Sequence, residues 1–328
     1  MKSEVLTGEK IESTAMDPNN ESIVIVCSSD NNYPMQLAVT IRSAIENLGK
    51  NRKILLFVID GDIKEQNKRR FLSSINPEYC EVKWIPKPHA IINKNVIPER
   101  ITSGVPEIAH ITIATWYRLL ISKLLPQSYK KAIYLDCDLV VTGDLGELWD
   151  IDIKDNYLLA VARLESYEYR TVPYFLRNWK ELGLSKGDKY FNAGVLVFNL
   201  EKWRSDDMGN KALNYIKQNL EYIKYGDQDV LNAIVAGHWA ELDPRWNCMN
   251  APSMTQEEVD DSFIIHFATL PKPWVTLDEF PSKDAFYKYL SLTSWSDYKY
   301  SILRRVYTTS KQIKQKIKRK YKRSFSSH

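Results

Sequence analysis

Apolar segments of strand length alternate with amphipathic stretches through most of the chain. Residues 22–28, 53–60 and 158–162 are almost continuously apolar, and helical periodicity follows the first two at 34–48 and 64–75. Short apolar runs bounded by turns are typical of strands that are covered on both faces. This alternation predicts an α/β fold with a mixed, mostly parallel sheet flanked by helices.

The middle of the chain contributes a predicted helix and a predicted hairpin. Residues 111–125 have a helical pattern with a wide apolar face, and Pro126 ends it. After the strand that begins at Lys131, residues 140–153 pass two glycines and are predicted to return as a hairpin. The further predicted elements are a strand at 81–85, a strand within 190–203, a helix at 225–234 that Asp227 can cap, and a strand that ends at His266.

Two further segments flank the domain predicted at 22–277, and the C-terminal one differs from it in charge. Residues 1–21 form a polar leader without the apolar core of a signal peptide, and residues 278–328 form a helical extension. From Tyr298 onward the chain carries eleven Lys/Arg and no Asp/Glu, whereas the rest holds 34 basic and 41 acidic residues. The apolar residues of this tail recur at helical spacing: Ile302, Val306, Ile313, Ile317, Tyr321 and Phe325.

Composition and charge indicate where the protein acts. The hydrophobic content of 44% and the charged content of 26% are ordinary for a globular protein, and the four cysteines form no C-x-x-C pair. We therefore expect free thiols in the cytoplasm, with the basic amphipathic tail attached peripherally to the anionic inner face of the cell membrane. The rival interpretation is a solvated basic tail, and the acidic body disfavours a nucleic-acid partner.

The strongest candidate for chemistry is the segment 131–138, KAIYLDCD. Its apolar half predicts a buried strand, and period-two alternation directs Asp136 and Asp138 to the same side. Two neighbouring carboxylates repel each other unless a cation lies between them or one is protonated. The carboxyl edge of an α/β sheet is also where ligands bind, so we interpret the pair as a hard-metal site. The alternative is a solvated acidic turn.

Two other polar features accompany predicted elements. The turn after the first strand, SSDNNY, contains no glycine, so it is neither a P-loop nor a dinucleotide fingerprint. Asp30 and Asn32 would instead bind a base or ribose through their side chains, unless the turn only caps the next helix. Arg118 stands nearly alone on an apolar helix, where it would snorkel or pair, or else reach a buried anion.

Six motifs in order give the chain a resemblance to a known family. They are SSDNNY, TIATWYRL, YLDCDLVVTGDLGELWD, YFNAGVLVFNLEKWR, DQDVLN and HFATLPKPW. In these the chain resembles glycosyltransferase family 8, which includes bacterial lipopolysaccharide glucosyl- and galactosyltransferases and glycogenin. The resemblance implies a GT-A (Rossmann-like) fold at 22–277, a UDP-sugar donor, Mn²⁺ with Mg²⁺ as the alternative, and retention of anomeric configuration.

The resemblance also assigns roles to individual residues. It implies that Asp136, Asp138 and His266 bind the metal, and that Lys272 contacts the diphosphate. The imidazole beside two carboxylates suits Mn²⁺ better than Mg²⁺. The residues implied to bind the UDP-sugar are Ser29, Asp30, Asn32, Tyr33, Arg118, Asp136, Cys137, Asp138, Asn192, Ala193, Asp227, Gln228, His266 and Lys272. Two positions depart from the family pattern: Thr269 replaces a usual glycine, and Arg163 stands where galactosyltransferases have an acidic residue.

These features predict transfer of a hexose to a glycan or glycolipid acceptor, in lipopolysaccharide or other bacterial cell-surface glycan synthesis. Asp227 and Gln228 are the predicted catalytic residues. Because an amide is a poor nucleophile, we favour same-face attack by the acceptor hydroxyl with electrostatic support from Gln228, while a covalent route through either residue stays open. The rival functions are a nucleotidyltransferase and a catalytically weak UDP-sugar or carbohydrate-binding protein.

Overall fold

The computed structural model describes residues 22–93, 96–97, 112–163, 172–249 and 251–300. The predicted polar leader at 1–21 and the basic tail beyond residue 300 lie outside the described residues. The described strands are β1 (Ile23–Asp30), β2 (Ile54–Gly61), β3 (Cys80–Pro86), β4 (Lys131–Leu135), β5 (Leu139–Val141), β6 (Leu158–Ala162), β7 (Phe191–Asn199), β8 (Trp239–Glu241) and β9 (Ile264–His266).

These strands build a main sheet, flanked by helices, and a separate two-stranded sheet of β5 and β9. The described α-helices are α1 (Pro34–Glu46), α2 (Glu65–Leu72), α3 (Ile121–Leu124), α4 (Leu145–Asp150), α5 (Val172–Phe175), α6 (Leu200–Ser205), α7 (Met208–Gln218), α8 (Asp227–Val235), α9 (Gln256–Asp261) and α10 (Pro281–Leu290). The described 3₁₀ helices are Ile113–Leu120, Pro244–Asn247, Ala251–Ser253 and Pro273–Val275.

The main sheet has seven strands in the order β3-β2-β1-β4-β7-β6-β8. Strand β7 runs antiparallel to β4 and β6, whereas the other neighbours are parallel. This arrangement confirms the predicted mixed, mostly parallel α/β sheet. The interior strands read as continuous apolar runs because helices cover both of their faces, as the burial of every residue of β6 illustrates.

The order of the strands creates a crevice beside β1. From β1 the chain passes outward to β2 and β3, and then returns to place β4 on the other side of β1. At such a switch in strand order the connections diverge and leave an open space at the carboxyl edge. Asp30 ends β1 and Asp136 follows β4, so both carboxylates reach this edge.

The prediction of a hairpin at 140–153 is wrong. Strand β5 pairs antiparallel with the distant strand β9, and the residues after it form helix α4. Asp144 starts this helix by accepting a hydrogen bond from the Gly146 N–H. Gly143 is required by a close approach to Phe263 rather than by a hairpin turn, since a Cβ there would lie 2.9 Å from the Phe263 Cβ.

The predicted helix at 111–125 is only partly α-helical. Its described part winds as a 3₁₀ helix over Ile113–Leu120 before the single α turn of α3. Two threonines and a β-branched isoleucine open the segment, and such residues lower α-helical propensity. Pro126 follows its end, as predicted.

The start of the predicted C-terminal extension packs on the α/β domain. Phe286 of α10 is 1% exposed and lies 5.2 Å from Trp274 and 5.8 Å from Phe267 between ring centroids. Asn47 Nδ2, just after α1, donates to the hydroxyl of Tyr289 at 2.8 Å. Among the described residues no helix is long and apolar enough to cross a membrane.

We predict that removal of the Phe286 ring destabilises the whole domain. Phe286→Ala should lower the free energy of unfolding by about 3–5 kcal/mol because it opens a cavity among packed rings. Leu292→Ala is the matched control, since Leu292 is 41% exposed and should change stability by less than about 1 kcal/mol. Urea denaturation followed by Trp fluorescence measures both, and equal stabilities would refute the packing argument.

Candidate active site

A cleft of about 860 Å³ lies at the crevice beside β1 and β4. Most of the sequence-predicted site residues line it, namely Ser29, Asp30, Tyr33, Arg118, Asp136, Cys137, Asp138, Asn192, Ala193, Asp227, Gln228 and His266. Asn32 and Lys272 are not among the lining residues. The two departures from the family pattern, Arg163 and Thr269, also line the cleft.

Three of these side chains form a cluster that can bind a metal. One ligand atom from each of Asp136, Asp138 and His266 lies within 4.8 Å of the others. The Nε2 atom of His266 is 3.4 Å from Asp138 Oδ1 and 3.9 Å from Asp136 Oδ2. Strand β9 delivers the histidine by pairing with β5, which directly follows the two aspartates in the chain.

Hydrogen bonds fix the tautomer of His266. Its Nδ1 lies 2.8 Å from Asn247 Oδ1, while Asn247 Nδ2 donates to Asn192 Oδ1 at 2.9 Å. Because the amide nitrogen is already committed to Asn192, the amide oxygen must accept the Nδ1 proton of the imidazole. Nε2 is then left with its lone pair facing the aspartates, as a metal ligand requires. Asn247 is not among the residues predicted from the sequence, because no local pattern distinguishes it.

Each aspartate has one oxygen tied to the protein and one that faces the histidine. Arg118 and the hydroxyl of Tyr134 donate to Asp136 Oδ1 at 2.8 and 3.0 Å. Lys272 Nζ donates to Asp138 Oδ2 at 2.8 Å. Burial alone would raise the pKa of Asp138, but the charge of Lys272 holds that pKa below its usual range. The donor set of two carboxylates and one imidazole fits a divalent cation.

Arg118 is buried between two carboxylates. It is 2% exposed, and its Nε lies 2.8 Å from Asp227 Oδ2 while Nη2 bonds Asp136. The Nε–H itself donates to the Thr115 carbonyl oxygen at 3.0 Å, so its contact with Asp227 is an ion pair without a hydrogen bond, and Nη1 donates to the Ala193 carbonyl oxygen. Burial raises the pKa of Asp227 to about 7, and the charge of Arg118 opposes this rise. Arg118 is therefore paired with carboxylates, which is one of the alternatives that the sequence left open.

Helix α8 brings Asp227 and Gln228 to the cleft. Its N-cap is Gly226, with φ of 71°, so the prediction that Asp227 caps the helix is wrong. Asp227 occupies the first helical turn instead, where its carboxylate turns toward Arg118. Gln228 Oε1 accepts from Asn192 Nδ2 at 3.0 Å and from Ala193 N at 3.1 Å.

The predicted uridine turn is internally bonded. Asp30 accepts from the main-chain N–H of Asn32 at 2.8 Å and from its side-chain amide at 3.0 Å. Asn32 thus folds back onto Asp30 instead of entering the cleft, whereas Tyr33 lies on the wall. The Cys137 thiol is directed at the Ser28 carbonyl 3.2 Å away, and burial raises its pKa well above the ordinary value, so it is no nucleophile.

Lys272 lies behind the metal cluster. It is 3% exposed, and besides Asp138 its ammonium group contacts the carbonyl of Phe267. In this arrangement its charge acts on Asp138 rather than on the cleft directly.

Comparison with known proteins assigns the chain to a family. The sequence model of glycosyl transferase family 8 matches residues 24–278. The chain belongs to this family. General stress protein A of Bacillus subtilis (strain 168) is 31% identical over 294 residues, which cover 84% of this chain and 96% of that protein. A lipopolysaccharide 1,2-glucosyltransferase of Escherichia coli is 24% identical and covers 83% of this chain and 78% of that protein.

The fold is likewise similar to solved structures. The galactosyltransferase LgtC, in complex with donor and acceptor sugar analogs, superimposes with a TM-score of 0.66 at 25% identity, covering 83% of this chain and 96% of that one. The predicted family and the GT-A-like fold are thereby confirmed. Membership of the family also supports the predicted transferase activity.

We predict that Gly194 is required by the metal cluster. A Cβ at this position would lie 2.8 Å from His266 Nδ1 and would also overlap Cε1, so Gly194→Ala must displace the imidazole. The affinity for Mn²⁺, measured by calorimetry, should fall about 10- to 100-fold, as for other changes that misorient a ligand. Gly187→Ala is the control, because nothing lies within 4 Å of a Cβ there. Unchanged affinity in Gly194→Ala would contradict the assignment of His266.

Proposed function

We propose that the protein is a retaining, divalent-metal-dependent glycosyltransferase that moves a hexose from a UDP-sugar to a carbohydrate or glycoconjugate acceptor. The observation that carries this proposal is the cluster of Asp136, Asp138 and His266 on the wall of a cleft. Similarity to a lipopolysaccharide glucosyltransferase supports a role in lipopolysaccharide or other bacterial cell-surface glycan synthesis. The family assignment leaves the nucleotidyltransferase alternative without support.

The free oxygens of the two aspartates and Nε2 of His266 would hold the metal. Mn²⁺ is the proposed ion and Mg²⁺ the alternative, because an imidazole ligand beside carboxylates favours the softer ion. The bound ion supplies positive charge for the diphosphate of the donor. Lys272 keeps Asp138 ionised and therefore ready to bind a cation. Direct contact between Lys272 and the diphosphate remains a prediction.

The donor would extend from the turn at Asp30 and Tyr33 toward α8. In that orientation the sugar would meet Asn192, Asp227 and Gln228 at the far wall of the cleft. Arg118 would set the position of Asp227 and of the Ala193 carbonyl through the contacts described above. The proposed sugar-binding residues come from β7 and α8, and their contacts with each other fix the shape of this wall.

Retention is proposed to proceed by attack from the face that the diphosphate leaves. The bond between the anomeric carbon and the diphosphate oxygen breaks, and its electron pair stays on the diphosphate oxygen. The acceptor oxygen then bonds the anomeric carbon, and the proton of the acceptor hydroxyl passes to the diphosphate. The two lone pairs of Gln228 Oε1 already accept hydrogen bonds, and Asp227 is buried against Arg118. These contacts favour electrostatic support over a covalent intermediate on either residue.

We predict that hydrolysis of a UDP-sugar without acceptor requires both aspartates. A panel of UDP-hexoses should contain at least one that the protein hydrolyses slowly in the presence of Mn²⁺. Asp138→Asn should raise the Mn²⁺ concentration for half-maximal rate more than about tenfold, since a neutral amide is a weaker ligand for a hard cation. Asp155→Asn is the control, because Asp155 is 97% exposed.

Two results would decide against this function. If wild-type protein binds UDP-sugars but turns none over, it is a carbohydrate-binding protein rather than an enzyme. Activity of Asp138→Asn equal to wild type at limiting Mn²⁺ would refute the metal site.

The second proposal is that the basic tail attaches the enzyme peripherally to the inner face of the membrane. Each Lys or Arg near an anionic surface contributes about 1 kcal/mol, so even half of the eleven would suffice for reversible binding. The tail leaves the domain at Tyr298, whose hydroxyl donates to the Trp274 carbonyl at 2.6 Å.

We therefore predict that truncation after Tyr298 separates binding from activity. The shortened chain should keep UDP-sugar hydrolysis but no longer sediment with phosphatidylserine vesicles at low salt, whereas the full chain sediments. High salt should release the full chain, because it screens the attraction. Neutral phosphatidylcholine vesicles are the control, and equal sedimentation of both chains would refute the anchor.

A further inference from the structure

Two buried ionisable groups beside the cleft have no role in the reaction as proposed. Asp229 and Tyr190 are both 0% exposed, and neither is among the residues that line the cleft. The Tyr190 hydroxyl donates to Asp229 Oδ1 at 2.5 Å, and Gln228 Nε2 donates to the same hydroxyl oxygen at 3.1 Å. The two residues therefore connect to a side chain that does line the cleft.

Asp229, Tyr190 and Gln228 form a hydrogen-bond relay, and the Asp229 carboxylate fixes the direction of each hydrogen bond in it. Asp229 Oδ2 accepts from the main-chain N–H groups of Lys224 and Tyr225, each at 2.7 Å, so both of its oxygens act as acceptors. Tyr190 must then donate its only proton to Asp229, which leaves its oxygen able only to accept. Gln228 must turn its NH₂ group toward Tyr190 and its oxygen toward Asn192 and Ala193.

Burial and ring packing keep the hydrogen bonds of this relay in these directions. Burial raises the pKa of Asp229 to about 6, while the three donated hydrogen bonds lower it, so the group is ionised at pH 7.5. The ring of Tyr190 stacks on Phe175 with centroids 4.2 Å apart. The hydroxyl therefore has a fixed position between Asp229 and Gln228.

We propose that Asp229 and Tyr190 are positioning residues that, together with the N–H donors of Asn192 and Ala193, hold the Gln228 amide in one orientation at the donor sugar. The inference rests on the proposed function, in which Gln228 supports the reacting sugar electrostatically. An amide that rotates by 180° would reverse its dipole and present the wrong polarity to the developing positive charge. A preorganised dipole contributes to catalysis only while its orientation is held.

The structure offers an isosteric variant that inverts the relay. In Asp229→Asn the two main-chain N–H groups of Lys224 and Tyr225 select the amide oxygen, so the new NH₂ group faces Tyr190. Tyr190 must then accept from residue 229 and direct its proton at Gln228. The Gln228 amide therefore either loses its hydrogen bond to Tyr190 or rotates and sets its NH₂ group against the N–H donors of Asn192 and Ala193. Tyr190→Phe instead removes the hydroxyl and leaves the stacked ring in place.

The first test is kinetic. For UDP-sugar hydrolysis with Mn²⁺, Gln228→Ala should lower kcat about ten- to a thousandfold, as for loss of a preorganised polar group. Tyr190→Phe should lower kcat about two- to tenfold, the worth of one hydrogen bond, with KM for the donor unchanged within about twofold. Asp229→Asn should lower kcat at least as much. Added to Gln228→Ala, neither change should reduce kcat further.

The control removes an equivalent buried hydroxyl away from the cleft. Tyr215 donates to Asn178 Oδ1 at 3.1 Å and is 8% exposed. Tyr215→Phe should leave kcat unchanged. A full additional loss of kcat when Tyr190→Phe is combined with Gln228→Ala would overturn the relay, as would an unchanged kcat in Tyr190→Phe alone.

The second test does not depend on turnover. In ¹⁵N spectra, the Gln228 side-chain amide pair is identified by its absence from Gln228→Ala. This pair should exchange slowly with water in wild type and in Tyr215→Phe, and faster in Tyr190→Phe. If the wild type hydrolyses no UDP-sugar, the proposed function fails while this measurement still decides the relay. An identical amide pair in wild type and Tyr190→Phe would overturn it.

Discussion

The buried guanidinium of Arg118 is the interaction on which the cleft depends. It compensates Asp136 and Asp227 at once, and it also donates hydrogen bonds to the main chain of the 3₁₀ helix and of β7. Removing one partner from a buried ion pair typically costs 3–5 kcal/mol, because the other charge stays desolvated. Arg118 thereby connects the proposed metal site to the proposed sugar site, and neither carboxylate can move independently of the other.

Because of this compensation, the two oxygens of each aspartate have different partners. One oxygen of Asp136 and one of Asp138 satisfy protein donors, which restricts rotation of both carboxylates and directs the second oxygens toward His266. Like charges held this close destabilise the folded protein unless a cation joins them. The protein keeps the arrangement by surrounding it with fixed positive groups and hydrogen bonds, and affinity for a divalent cation is the proposed gain.

The single reversed strand explains how distant parts of the chain meet. Because β7 runs antiparallel to β4, its first residues lie at the edge where β4 ends, and the Asp136 N–H donates to the Gly194 carbonyl at 2.8 Å. Asn192 at this corner bonds both Gln228 and Asn247, and Asn247 in turn orients His266. The proposed metal ligands and the proposed sugar-facing side chains therefore belong to one hydrogen-bonded network.

The sequence alone determined the elements whose patterns are strong and local. Continuous apolar runs marked the interior strands, and paired aspartates at a strand end marked the metal cluster, because burial and repulsion leave a signature within a few residues. Local patterns did not reveal that β5 pairs with β9 instead of folding into a hairpin, that Gly226 rather than Asp227 caps α8, or that Asn247 holds His266. Each of these depends on a contact or a backbone angle set elsewhere in the fold. Short-range patterns encode burial and turn chemistry, whereas partner choice is settled only when the strands pack together.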